Sequence, residues 1–344
     1  MLRQKIQGDF HDIVETLLAT ALVAAALIPT AQAQERTIKF AFQNQKEHPQ
    51  AQGAQKFADL VAAKTHGRIA VKLFPGGTLG GDLQTVSALH GGTVEMTVLN
   101  AGILSAQTKE FGIYDFPFLF ASPQEADAVT DGQFGQKLLD KLQSKNLVGL
   151  AYWELGFRNV TNSKRPLTKA EDLVGLKIRV IQSPIYIDMF NALGANAVPM
   201  PFPELYTAME QKAVDGQQNP FSTILASKFS EVQKHLTITR HMYNPQAVIA
   251  SKKFWDSLTP ADQKSITEAM TEATVFQRSV SRAQADVALD DLKKAGMQVS
   301  EFSPAEIDKL RAKVKPVVEK HSEKVGADTV KEVYDTLAKL RGTK

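Results

Sequence analysis

The chain has 344 residues, 43% hydrophobic and 22% charged, the composition of a globular protein of about two domains. Its 40 Lys and Arg against 37 Asp and Glu leave a formal charge of +3 with no concentrated basic stripe, so nucleic acid is not an expected partner. No cysteine is present, which excludes disulfides, thiolate nucleophiles and thiolate metal sites.

Arg3 and Lys5 precede an apolar run, LLATALVAAALI (17–28), followed by Pro29 and AQA at 31–33. This order predicts a secretory signal peptide over 1–33, cleaved after Ala33, and a periplasmic protein starting at Gln34. The run is shorter than the roughly 20 apolar residues a membrane span needs. Asp9, Asp12 and Glu15 acidify the leader, so an uncleaved anchor is the alternative. No later stretch is apolar and long enough to span a bilayer.

TIKFAF (37–42) places Ile38, Phe40 and Phe42 on one face and reads as the first strand. The loop QNQKEHPQ leads into a helix carrying Phe57, Leu60 and Val61, ended by Gly67. RIAVKLF (68–74) is the second strand, PGGTLGGD (75–82) turns into another helix, and VEMTVL (94–99) is the third strand. Strands alternating with helices at this spacing predict a parallel sheet covered by helices. The pattern restarts with strands LVGLAYW (147–153) and LKIRV (176–180). Ser183-Pro184 then starts a helix closed by Gly194, with a hydroxyl cap and proline at the first helical position. A second helix is expected from Pro203 through ELYTAMEQKAV, and QAVIAS (246–251) is a further strand. From Thr259-Pro260 the chain stays helical to about Lys294, about 54 Å at 1.5 Å per residue, long enough to brace two domains. Beyond Ser303 a charged amphipathic helix is expected. The fold class is therefore α/β and periplasmic binding protein-like: two α/β lobes, a ligand cleft between them, and a long bracing helix.

For catalysis there is little to build on. No GxSxG, HExxH or GxxxxGK[ST] motif and no clustered metal ligands occur, and the seven histidines are scattered. PGGTLGGD has the glycines to cradle a phosphate but lacks the Lys-Ser/Thr continuation, so a plain turn is the simpler reading. Neither cofactor nor metal is expected. Arg179 is different. Leu176, Ile178 and Val180 form one face of its strand, yet the guanidinium sits near the strand's carboxyl end, where ligands bind in open α/β sheets. Its fork of donors matches a carboxylate, and a buried charge needs a partner. That partner is either a bound acid or an internal Asp or Glu.

Further motifs bear on this choice. GFRNVTNSKRPL (156–167) sets Arg158 beyond the strand ending at Trp153, where the chain crosses between lobes. VDGQQNPFS (214–222) reads as a polar loop with Asn219 held by Pro220. With FAFQNQKEHPQ, RIAVKLFPGGTLGGD, GLKIRV and MPFPELYTAME, these occur in an order that resembles the solute-binding proteins of TRAP transporters, the DctP-like family, over nearly the whole mature chain. The resemblance implies that Arg179 takes the ligand carboxylate bidentately and that Arg158 reaches the same region. It places Asn219 in a VDGQENP-like loop, with Gln218 where glutamate is usual, and Phe202 beside the ligand. It has Gln43 and Asn100 facing the cleft from the first lobe. The alternative for Arg158 is a hinge salt bridge with Glu154. Trp153 either packs in the core or stacks on a sugar face, and His48 is either a rim contact or a solvated loop histidine. Tyr206 is expected to pack along its helix.

On this reading lobe I covers 34–155 and 245–285, and lobe II covers 156–244 and 286–344. The function implied is a non-enzymatic extracytoplasmic receptor, monomeric, that closes on an organic acid and passes it to the small and large TRAP membrane subunits. Uncharged Gln43 and Asn100 favour a sugar acid such as a uronate or aldonate; a C4-dicarboxylate is the alternative, with Arg158 on its second carboxylate. An exported sensor or chaperone module and a periplasmic enzyme are rivals from other classes.

Overall fold

TIKFAF does form a strand, because its apolar side chains meet helices on one face and neighbouring strands on both edges. The structure, a computed structural model, describes residues 35–342; the expected signal peptide lies outside them. β1 (Arg36–Phe42) pairs in parallel with both β2 (Ile69–Phe74) and β3 (Met96–Asn100). The crossovers run through α1 (Pro49–Lys64) and α2 (Asp82–Gly91). Two short helices, α3 (Pro123–Thr130) and α4 (Gln133–Lys141), precede the first crossing between halves.

That crossing corrects the expected strand. LVGLAYW is the first part of β4 (Leu147–Asn162), which continues through Arg158. The second half follows as β5 (Lys177–Val180), α5 (Pro184–Ala192), β6 (Asn196–Pro199), α6 (Leu205–Glu210), β7 (Gly216–Asn219) and α7 (Phe221–Ala226). QAVIAS is likewise the end of a longer strand, β8 (His235–Ser251). Glycine, Asn and Thr break the apolar alternation in GFRNVTN, but pairing with β8 overrides it.

Among the described residues nine strands form one mixed sheet in the order β2-β1-β3-β8-β4-β7-β5-β6, with β9 (Gln298–Glu301) beside β8. The expected parallel arrangement holds within each flank, β2-β1-β3 and β7-β5-β6. The two crossing strands run antiparallel to each other and to β3 and β7, because the chain passes directly from half to half without a helical crossover. The lobe division proposed at 155/156 and 244/245 cuts the sheet where Gly156 pairs with Asn244. Gly156 there has φ +109°, a backbone that L side chains rarely adopt, beside a register shift in β4.

VDGQQNP also differs from its expectation: residues 216–219 form β7, buried throughout. Gly216 makes this possible, since a Cβ at that position would lie 2.1 Å from the Thr161 carbonyl of β4. The helix expected from Pro203 to 214 is shorter. A 3₁₀ turn (Phe202–Glu204) leads into α6, and Lys212 at φ +58° turns the chain toward β7.

The long helix is present. After the short α8 (Lys252–Trp255) comes α9 (Pro260–Lys294), 35 residues capped by Thr259, whose side chain accepts from the Asp262 amide. It packs on α1, β4 and α7, and so touches both halves. The charged C-terminal segment forms α10 (Pro304–Val325) and α11 (Ala327–Leu340), separated at Gly326. Buried apolar side chains fall into three clusters rather than two: one around Phe40, Phe57 and Trp153, a second running from Phe111 to Phe190, and a third around Leu205 and Leu292. Among the described residues no helix is long and apolar enough to cross a membrane.

Candidate functional site

Arg179 is the third residue of β5 and only 3% exposed. Its Nε and Nη2 donate to the Met200 carbonyl at 2.9 and 2.6 Å, and its guanidinium lies 5.7 Å from the centre of the Phe202 ring. Nη1 has no hydrogen-bond partner among the described residues. One side of the fork is therefore anchored to the backbone, while the Nη1/Nη2 end remains to receive a ligand.

Arg158, 1% exposed on β4, faces the same space. It donates through Nε to Gln218 Oε1, through Nη2 to the Gln218 carbonyl, and through Nη1 to Asn244 Oδ1 at 2.8 Å. Tyr186 donates to the same Asn244 oxygen at 2.9 Å, and the Arg158 guanidinium sits over its ring at 5.6 Å. Gln218 and Asn244 leave Arg158 held by neutral acceptors.

Neither arginine forms an ion pair with a carboxylate among the described residues; Glu154, the sequence candidate for Arg158, instead binds Arg282 at 2.8 Å. Burial and then the charge of Arg158 push Arg179 down to about 9, and burial lowers Arg158 as well. Both stay cationic at neutral pH, so two positive charges are held in a low-dielectric space with no carboxylate in direct contact, Asp82 acting on both only across the cavity.

The arginines line a narrow, nearly closed cavity. Asn219, at the end of β7, lines it too, its Nδ2 donating to Gln217 Oε1 at 2.6 Å. From the other half come Gln43 after β1 and Asn100 at the end of β3, with Phe202 closing one side. The structure thus brings together Arg179, Arg158, Asn219, Phe202, Gln43 and Asn100.

Two sequence candidates stand elsewhere. Trp153 is buried in the core against Phe40, 5.9 Å between ring centres, and its Nε1 donates to Thr274 Oγ1 at 3.0 Å; it does not line the cavity. His48 is neither a rim contact nor solvated. It is wholly buried as the N-cap of α1, its Nδ1 accepting from the Gln50 amide at 3.0 Å, and its Nε2 is 3.1 Å from Thr223 Oγ1 in the other half. Burial pushes it down to about 3, so it is neutral. Tyr206 reaches beyond its own helix and donates to Glu231 at 2.7 Å.

Sequence reasoning missed Asp82, Asn44, Gln246, Leu155 and Ile181, which also line the cavity. Asp82 closes PGGTLGGD and opens α2, a position legible as a helix start but not as a cavity wall. Its Oδ1 is buried without a hydrogen-bond partner, and burial raises the carboxyl to about 6 against the opposing pull of both arginines. Asn44, Gln50 and Gln246 form a chain of amides, Asn44 Nδ2 to Gln50 Oε1 at 2.9 Å and Gln50 Nε2 to Gln246 Oε1 at 3.0 Å. Among the described residues no group of three or more His, Asp or Glu is placed to hold a metal ion. The arrangement suits non-covalent capture: an end-on guanidinium for an anion, and neutral amides around it.

A model of the bacterial extracellular solute-binding proteins, family 7, matches residues 40–324. A TRAP periplasmic solute-binding protein from Ochrobactrum anthropi, solved with its C-terminus bound in the ligand-binding pocket, is 56% identical, with 90% of this chain and 97% of that one covered and a TM-score of 0.79. A sugar acid binding protein from Advenella mimigardefordensis, in complex with galactonate, is 44% identical over 89% of this chain and 99% of that one, with a TM-score of 0.87. The C4-dicarboxylate-binding periplasmic protein of Rhodobacter capsulatus is 35% identical over 91% of this chain and 94% of its own.

Proposed function

The chain belongs to the bacterial extracellular solute-binding proteins of family 7, the DctP-like binding proteins of TRAP transporters, and on that footing we propose that it captures a sugar acid between its two halves. The family binds carboxylate solutes for transport and is not enzymatic. The observation that carries the finer reading is the open Nη1/Nη2 end of Arg179, which no protein carboxylate contacts, in a cavity that holds five neutral amides and one carboxyl, Asp82. One carboxylate satisfies the guanidinium, and hydroxyls satisfy the amides.

Closure is a hinge motion between two states, absorbed where β4, β8 and α9 cross between halves. The ligand favours the closed state by the contacts it makes only there. Each hydrogen bond to a charged group contributes roughly 1.5–3 kcal/mol net, so a bidentate pair supplies about half of the roughly 8 kcal/mol of micromolar binding. The hydroxyls and the enclosing Leu155, Ile181 and Phe202 supply the remainder. The protein, a monomer exported by cleavage of residues 1–33, then delivers its acid to the small and large membrane subunits.

A C4-dicarboxylate would use Arg158 for its second carboxylate. Three of the five Arg158 N–H groups already donate to Gln218 or Asn244, one from each nitrogen, which leaves it less free than Arg179 and counts against that reading. Calorimetric titration with D-galactonate, D-galacturonate, succinate and L-malate separates the two. The hydroxylated monocarboxylates should bind tightest; succinate binding more tightly than both would overturn the sugar-acid assignment.

A further inference from the structure

The donors and the acceptors of the cavity come from opposite halves. Arg179 and Arg158 project from β5 and β4. The facing wall is built from the end of β1, the start of α2 and the end of β3, and each of these contributes one buried oxygen without a hydrogen-bond partner: Gln43 Oε1, Asp82 Oδ1 and Asn100 Oδ1. The Gln43 amide is held by its own Nε2, which donates to the Gly80 carbonyl at 3.1 Å and leaves Oε1 without a partner. Asp82 forms no ion pair with either arginine, although both act on its charge across the cavity. A group that fills the space between must therefore be an acceptor on one side and a donor on the other.

We propose that Gln43, Asp82 and Asn100 form a hydroxyl-reading wall, and that Asp82 is the specificity residue that favours a polyhydroxy monocarboxylate and excludes a second carboxylate. This deepens the sugar-acid reading and rests on it. A buried acceptor left empty is unfavourable, and a ligand O–H removes that penalty. A carboxylate in the same place brings no proton to share and sets like charge against like. Sites built to hydrogen-bond a hydroxyl reject analogues lacking it far more strongly than apolar pockets reject a missing methylene. It follows that docking of the carboxylate on the Arg179 side does not require the facing wall, whereas the hydroxyls draw that wall in. Closure is thus driven by the part of the ligand that a dicarboxylate lacks.

The test uses the full mature chain and the variant Asp82→Asn, titrated calorimetrically with D-galactonate and with succinate. The amide keeps the shape, removes the charge and can turn its N–H groups toward a carboxylate. D-galactonate affinity should fall about tenfold or more while succinate affinity rises, so the preference between them narrows. A folded variant, with unchanged far-ultraviolet dichroism, whose galactonate-to-succinate ratio equals that of the parent overturns the proposal. Asn100→Ala gives an independent reading: it should weaken D-galactonate and leave succinate within about threefold, and equal losses for both ligands would mean a structural role only. Should the parent itself prefer succinate, the sugar-acid reading fails on that measurement, while the role of Asp82 is still judged by whether its variant changes the ratio.

Discussion

At residue scale the decisive side chain is Arg179, because it does two jobs with one planar group. Nε and Nη2 hold the Met200 carbonyl and the Nη1 end faces the cavity. A lysine keeps the charge, but its single ammonium cannot anchor to the backbone and fork a carboxylate together. Arg179→Lys should therefore bind D-galactonate about 10- to 100-fold more weakly, the loss of one charged hydrogen bond, with thermal stability near that of the parent. Equal affinity by calorimetry would remove Arg179 from the site. The residue was legible in the sequence as a charge misplaced in an apolar strand. Asp82 was not, because an acidic residue at a helix start is ordinary and nothing local reports that its oxygen faces a cavity. His48 was misread for the converse reason: His48-Pro49 signals a helix start, but its burial against Thr223 depends on a residue 175 positions away.

At element scale β4 holds the molecule together, and α9 holds β4. Gln277 of α9 accepts from the Glu154 amide and donates to the Glu154 carbonyl, both at 2.8 Å, supplying the pairing that β4 loses at its register shift. Arg282 adds ion pairs to Glu154 and Asp127 at 2.8 and 2.7 Å. Replacing Gln277 by Leu preserves the volume, leaves the buried Glu154 amide unpaired and leaves its carbonyl only the 3.4 Å bond from Ser281 Oγ, so it should destabilise the fold by about 2 kcal/mol, read as a lowered melting temperature. An unchanged Tm would show that α9 does not staple the crossing strand. The long helix was predictable from its Thr259-Pro260 start and the run free of proline and glycine. The full lengths of β4 and β8 were not, since GFRNVTN has no strand alternation of its own and is extended because β8 pairs along it.

At the scale of the whole molecule, buried titratable groups act against one another. Burial pushes His48 and His241 down to about 3. Below pH 6.5 the unfolded chain therefore takes up protons that the folded chain refuses, and stability falls as pH drops. Burial raises Asp82 to about 6 and Asp115 to about 7. These carboxyls hold protons in the folded state that the unfolded chain releases above about pH 4, so they add stability as pH falls through 7 and 6. The two pairs oppose each other between about pH 6 and pH 4. Asp115→Asn removes one opposing group, and its decline in stability from pH 6 to pH 4.5 should exceed that of the parent by about 2 kcal/mol, one proton at about 1.4 kcal/mol per pH unit. Urea unfolding at the two pH values measures this; parallel declines would mean that Asp115 does not retain its proton.

The sequence by itself determined the α/β class, strands β1, β2, β3 and β5, helices α1, α2, α5 and α9, and the family, because spacing, caps and motif order depend on residues a few positions apart. The tertiary structure alone decided the mixed sheet, the continuity of the crossing strands, the placement of Trp153 in the core, and the company each arginine keeps. The acceptors that hold Arg158 lie 60 and 86 residues along the chain, and no local pattern records a partner at that separation. Whether a buried charge is satisfied by the protein or left for a ligand is settled when distant strands meet.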